Sequence, residues 1–273
     1  MRAHREARAV RSSKIACCLN YLCRELALFK FEWNRNKATA RTSRVGLALE
    51  SDGFTLCHVV KEEGVPPRVT LCKAVSALTP EERNTALAEL VAESKLSGTP
   101  CVVVLPPESY SLRLLDRPKV EDDEIASSLP WLIKDLIDFD PSDARVDYFD
   151  FPADANRGRD PQLFVVAARN DVIEEVTNLL DGSGLELDAV DIGELALRNL
   201  TLVMPEQVAG TLLLELRPKG GILAICHESK LYFARSISTG TPQRAGLVTI
   251  ELVVANGGER VRVLHQVHVD NSP

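Results

Sequence analysis

Two cysteine–histidine neighbours, Cys57-His58 and Cys226-His227, are the first candidates for chemistry, because an imidazole beside a thiol can generate a nucleophilic thiolate. Both lie in runs that read as strands. Adjacent strand side chains point to opposite faces, so neither pair makes a dyad by itself, and structural cysteine is expected. Asp138, Asp140, Asp143, Asp147 and Asp150 supply oxygen ligands for a cation. Their spacing lacks the DxDxDG loop and closing Glu of calcium coordination, so they read as a solvated acidic surface and no metal site is expected. Gly182-Ser183-Gly184 precedes a strand rather than a helix N-terminus, so it reads as a helix stop and not a phosphate cradle. The motifs GxxxxGK[ST], HExxH and GxSxG are absent from the sequence. No catalytic residue is assigned, and the chain is not expected to be an enzyme.

The composition sets the frame for these residues. With 273 residues, 45% hydrophobic and 26% charged, the chain is long enough for one or two globular domains with a sizeable core. Its net charge of −7 is unevenly spread. Residues 1–44 hold eleven basic and three acidic residues, a net of +8, which leaves −15 for the rest. The acidic body argues against nucleic acid as a partner, while the basic tail suits an anionic membrane surface. The cysteines (Cys17, Cys18, Cys23, Cys57, Cys72, Cys101 and Cys226) are odd in number and include no CxxC, as in a reducing cytosol. Neither a transmembrane run nor a convincing signal peptide is read, so a cytoplasmic location is expected.

Near the start, Ile15, Leu19, Leu22, Leu26, Phe29 and Trp33 recur at steps of four and three, one stripe of an amphipathic helix. Leu19, Leu22, Leu26, Phe29 and Trp33 are the membrane-facing candidates if this helix lies on anionic lipid. Packing on the body or on a partner is the other reading. Strands follow at Val45 to Leu49, Phe54 to Val60 and Arg68 to Val75. Thr79-Pro80-Glu81-Glu82 starts a helix, and Cys101 to Leu105 is an apolar fourth strand. Residues 109–191 then read β-α-β-β-α-β, a ferredoxin-like order, with Pro130 in the middle of a helix that runs through Ile137. Within this unit, Leu163 to Ala168 is a buried strand and Asn170 or Asp171 caps the next helix. Leu185 to Ile192 is another strand, and a helix from about Glu194 to Val203 follows. After Met204-Pro205, apolar strands at Thr211 to Leu216, Ile222 to Cys226 and Leu231 to Ser236 form a second antiparallel set. Leu247 to Val269 reads as a hairpin.

Several phrases, in order, resemble one family. They are VGLALESDGFTLCHVV at 45–60, LLDRP at 114–118 with EDDEIASSLPWLIKDLIDFDPSDARVDYFDF at 121–151, FVVAARNDVIEEVTNLLDGSGLELDAVDIGELALRNL at 164–200 and LYFARSISTG at 231–240. The chain is similar to the MshI/PilM family, actin-like proteins of type IV pilus assembly related in fold to FtsA. MshI, of the mannose-sensitive haemagglutinin (MSHA) pilus, is the nearer branch. The resemblance covers about 44–240 and fails over Ala245 to Pro273, so a C-terminal truncation or reading-frame change is expected. It implies an α/β fold: an actin-like (ribonuclease H-like) first lobe over 45–107 plus 192–208, an inserted βαββαβ subdomain over 108–191 and an incomplete second lobe over 209–273, behind the basic tail 1–44.

The resemblance also implies a site between the lobes, where two hairpins reading "GiDiG" and "viDiG" would hold ATP and magnesium. Here the first reads Gly46-Leu47-Ala48-Leu49-Glu50, without Asp and with Glu for the last glycine. The second reads Leu213-Leu214-Glu215-Leu216-Arg217, with Glu for Asp and no glycine. A glutamate can hold a magnesium-bound water, but backbone carrying a side chain cannot approach phosphate as closely as glycine does. Glu50, Gly53, Glu215, Gly220 and Gly221 are therefore the residues of a degenerate nucleotide site, and no cofactor is expected. The partner that the resemblance implies is the cytoplasmic tail of a PilN-like inner-membrane protein, received in a cleft of the first lobe. The expected function is a cytoplasmic pilus-assembly scaffold, peripheral to the inner membrane. Its alternatives are an actin-like ATPase of pilus assembly and a GspL-like cytoplasmic domain of type II secretion.

Overall fold

The computed structural model describes residues 41–65, 67–156, 158–201, 210–217, 220–238, 246–255 and 258–266. The amphipathic stripe with Leu19, Leu22, Leu26, Phe29 and Trp33 lies outside them. Strands β1 (Arg41–Glu50), β2 (Gly53–Glu62) and β3 (Arg68–Ser76) form an antiparallel meander. Helix α1 (Pro80–Glu93) then carries the chain over the sheet to β4 (Pro100–Leu105), which lies parallel to β1 with Leu47 opposite Val103. The start of α1 is fixed by its sequence. Thr79 Oγ1 accepts the Glu82 N–H at 3.2 Å, Glu82 Oε2 accepts the Thr79 N–H at 3.3 Å, and Pro80 occupies the first turn.

The next segment is the inserted unit. Strands β5 (Tyr110–Asp116), β6 (Ala144–Asp150) and β7 (Gln162–Arg169) make a three-stranded antiparallel sheet in the order β5-β7-β6. Helix α2 (Ile125–Ile133) buries Ile125, Leu129 and Ile133 on one face, against Leu163, Val165 and Ala167. On the opposite face Phe149 stacks on Phe164 at 5.0 Å and Phe151 meets it edge-on at 5.6 Å. The helix expected through Ile137 stops at Ile133 instead. Pro130 is accommodated inside the helix, and the chain closes after Ile133 with a turn, Leu136 N–H to Ile133 O at 2.8 Å.

Helix α3 (Asn170–Ser183) and strand β8 (Glu186–Ile192) complete the expected β-α-β-β-α-β order, but their pairing differs from the ferredoxin-like one. β8 lies parallel to β4, with Val103 opposite Val190, and joins the first sheet in the order β3-β2-β1-β4-β8. The inserted sheet therefore ends at Arg169 rather than at 191. The physical reason is packing. Val176, Leu179 and Leu180 of α3 bury beside Leu87, Leu90 and Val91 of α1, against Val45, Leu47 and Leu56 of the main sheet. α3 is thus the crossover that parallel strands require. Its N-cap is Arg169, whose side chain makes no capping bond, so neither Asn170 nor Asp171 is the cap; both lie inside the helix. Its stop is the expected one: Gly184 takes φ +80 and donates to Leu180 O at 3.1 Å.

Three antiparallel strands with two parallel ones beyond β1 form the ribonuclease H-like sheet. Helix α4 (Gly193–Thr201) covers its other face and leads to a second five-stranded sheet. This comprises β9 (Gly210–Arg217), β10 (Gly220–His227), β11 (Lys230–Ser238), β12 (Gly246–Ala255) and β13 (Gly258–Gln266), ordered β11-β10-β9-β12-β13. The hairpin expected over 247–269 is β12 with β13. Where β4 joins β1 in parallel, β12 joins β9 antiparallel. Among the described residues the second sheet has no crossover helix of its own. One apolar cluster joins the halves: Ala48, Cys57 and Val104 below, Ala196, Leu197 and Leu200 of α4 between, and Leu213, Ile222, Ala224 and Cys226 above. Both faces of β1, β2 and β4 are buried over most of their length, which explains their continuous apolar runs. No helix among the described residues is long and apolar enough to cross a membrane.

Candidate functional site

Glu50 and Gly53 face each other across the two-residue turn from β1 to β2. Glu50 Oε1 accepts from Thr55 Oγ1 at 3.4 Å, and its carbonyl accepts from Arg83 Nη2 of α1 at 3.3 Å. Gly53 has φ +152, and a Cβ there would stand 2.0 Å from the Val75 carbonyl oxygen of β3. Strand pairing therefore explains this glycine without a phosphate. In the second hairpin, Gly220 pairs with Arg217 and Gly221 with Leu216. A Cβ on Gly221 would lie 2.2 Å from the Glu215 carbonyl oxygen, again a close approach of neighbouring backbone.

The registers define which residues are equivalent. Counted from the turn, Glu50 opposite Gly53 corresponds to Arg217 opposite Gly220. The counterpart of Glu215 is thus Ala48, two residues before Glu50. Glu215 is 8% exposed, and Ala48 belongs to the apolar cluster that reaches Leu213 on β9. Glu50 and Glu215 are therefore not a symmetric pair of acids. Where the first hairpin would present a carboxylate toward the other lobe, it presents a methyl group.

A second polar group gathers at the start of α4. Tyr110 of β5 donates its hydroxyl hydrogen to Glu194 Oε2 and accepts the Gly193 N–H at 3.3 Å. Glu194 is 1% exposed. The helix N-terminus is thus engaged by the protein's own Tyr110 hydroxyl, which the Glu194 carboxylate orients. Asp191, at the end of β8, accepts the Ile192 N–H at 2.8 Å. Burial pushes its carboxyl up to about 6, opposed by that bond and by the charge of Arg198. Arg198 in turn donates to Asn199 Oδ1 at 3.2 and 2.9 Å. No spacing in the sequence announces this cluster, because Tyr110 lies 84 residues from Glu194.

The other candidates fall apart spatially. Cys57 points into the apolar cluster, whereas His58 Nδ1 meets Thr70 Oγ1 at 2.6 Å, so the two side chains do part. Cys226 is buried, and its thiol is pushed up to about 12 by desolvation. Asp140 is held below the usual carboxylate range by the Ser142 N–H and hydroxyl, while Asp150 pairs with Arg117 at 3.0 Å. Among the described residues no group of three or more His, Cys, Asp or Glu is placed to hold a metal ion. One exposed feature stands out on the insert. Trp131 is 79% exposed on the outer side of α2, with Leu132 and Leu136 at 41% and 40%. Residues 121–150 around them hold ten acidic and two basic residues. The insert also reaches the second sheet, where Asp154 accepts from Tyr232 and pairs with Lys230 at 3.4 Å.

Comparison with solved structures agrees with this architecture. The chain is similar to a chain of the "PilM-PilN type IV pilus biogenesis complex", with a TM-score of 0.58 and 21% identity, over 71% of this chain and 61% of that one. It is also similar to the cytoplasmic domain of EpsL, an inner-membrane component of the type II secretion system of Vibrio cholerae. That match has a TM-score of 0.50 and 17% identity, over 72% of this chain and 71% of that one. The chain thus spans 61% of the length of its PilM-PilN match. No protein-family model matches the chain, and no curated protein matches its sequence. The fold is α/β and actin-like, and at these identities that is what the likeness establishes.

Proposed function

We propose that this chain is an assembly scaffold of a type IV pilus, of the MSHA type, acting by protein binding at the cytoplasmic face of the inner membrane. Its partner is the cytoplasmic tail of a PilN-like inner-membrane protein. The observation that carries this reading is the shared fold with a chain of the PilM-PilN complex. The hairpins support it: Ala48 replaces one carboxylate, and Gly53 and Gly221 are accounted for by strand contacts. Their chemistry favours a scaffold that takes neither ATP nor magnesium and is not an enzyme. The exposed face of α2 suits such a tail. Cytoplasmic segments beside a membrane span are rich in Lys and Arg. An acid-rimmed tryptophan offers them charge complementarity and a cation–π anchor. Calorimetric titration with a synthetic tail of the PilN-like protein, and separately with Mg-ATP, tests the reading. Heat from the peptide alone supports it; heat from Mg-ATP alone transfers the assignment to an ATPase. The EpsL likeness motivates a second reading, a component of type II secretion, which predicts binding to secretion-system tails in place of the pilus one.

A further inference from the structure

β2 and β3 set Cys57 and Cys72 directly opposite one another. Their sulfurs are 2.6 Å apart, against about 2.05 Å for a formed disulfide. Directly opposed residues of antiparallel strands have Cα atoms roughly 4.5–5.5 Å apart, inside the span that a disulfide bridges without backbone movement. Access is asymmetric, since Cys57 is fully buried and Cys72 half-buried. The other two described cysteines differ on both counts. Cys101 and Cys226 are buried, and their strand partners are Val45 and Leu187, and Thr211 and Leu231.

We propose that Cys57 and Cys72 are a dithiol modification site that closes to an intramolecular disulfide on reaction with a low-molecular-weight disulfide oxidant. The half-exposed Cys72 thiolate attacks the small disulfide, forming a mixed disulfide and expelling one small thiolate. The Cys57 sulfur, already in contact, attacks the Cys72 sulfur as its proton passes to the departing small sulfur. The second small thiol then leaves. Two protein thiols lose two electrons and two protons, and one small disulfide becomes two thiols. The bond falls where it has a structural consequence. β3 is the edge strand of its sheet and has β2 as its neighbour, so the link staples that edge. Cys57 and Cys72 also pack on the cluster shared by α4 and the second sheet.

The test uses the full chain, incubated with oxidised glutathione or with dithiothreitol, alkylated and digested with trypsin. Cleavage after Arg44, Lys61, Arg68 and Lys73 puts Cys57 in peptide 45–61 and Cys72 in peptide 69–73. The expected product is these two peptides joined, lighter than their sum by two hydrogens and separated again by reductant. Recovery of both as alkylated thiols, or each carrying a separate glutathione, overturns the proposal. Hydrogen exchange supplies a readout on the unmutated protein: amides of 68–76 should slow on oxidation, and unchanged exchange there refutes the staple. In Cys72→Ser, with its half-buried position keeping the fold, Cys57 should stay unmodified. Uptake of glutathione by Cys57 in that variant, at the rate at which the unmutated protein forms its disulfide, overturns the order of attack.

Discussion

Replacing Asp191 by Asn tests the electrostatics of the junction at α4. The carboxyl of Asp191 rises from 3.8 to about 6, with burial as the main cause. In the native state it therefore holds a proton between those values that the unfolded chain has lost. The unfolded chain binds fewer protons there, so stability falls as pH rises through this window. The penalty is absent below about pH 4 and complete above about pH 6. At about 1.36 kcal/mol for each tenfold change in proton affinity, the total is about 3 kcal/mol. Of this, about 2 kcal/mol develops between about pH 4.5 and about pH 7.5, since part has already appeared at the lower pH. Asn keeps an oxygen for the Ile192 N–H but carries no charge. Denaturant unfolding of both proteins at the two pH values gives a double difference that cancels the pH-independent cost of the substitution. The expected result is a relative gain for Asp191→Asn of about 2 kcal/mol at the higher pH. Parallel losses, with a double difference below about 0.5 kcal/mol, would show that Asp191 ionises freely and refute the reasoning.

Gly53→Ala and Gly221→Ala each place a Cβ in a neighbouring carbonyl oxygen and should lower stability by about 1–3 kcal/mol or more. Thermal melts of both variants check this, and an unshifted melt contradicts the close-approach account. Tyr110→Phe removes the hydroxyl shared by Glu194 and Gly193 and should cost about 1–3 kcal/mol in denaturant unfolding. Trp131→Ala should leave the melting temperature unchanged while weakening tail-peptide binding by about 2 kcal/mol, read by calorimetry. Unaltered affinity moves the docking surface away from α2.

Local signals made most elements legible. The Thr79-Pro80-Glu81-Glu82 start, the Gly184 stop and the apolar strand runs within 45–60 are properties of adjacent residues, and the chain folds there as its sequence reads. The α2 terminus was misplaced because Ile137 continues the helical spacing past the turn that closes the helix at Ile133. Strand partnership was not legible in the same way. β8 has the length and apolarity to close a ferredoxin-like unit, and only the burial of Val176, Leu179 and Leu180 against α1 sends it to β4.

The candidate site divides along the same line. The sequence by itself determined that the hairpins lack the glycines and the aspartate pattern of a phosphate site, because those are residue identities. Register decided that Ala48, and not Glu50, is the counterpart of Glu215. Packing decided that Gly53 and Gly221 answer to neighbouring strands. The Tyr110–Glu194 contact, the half-buried setting of Asp191 and the facing Cys57 and Cys72 likewise exist only in the tertiary structure. Propensity and capping act over a few residues, whereas these contacts join segments that become neighbours only once the sheets have paired.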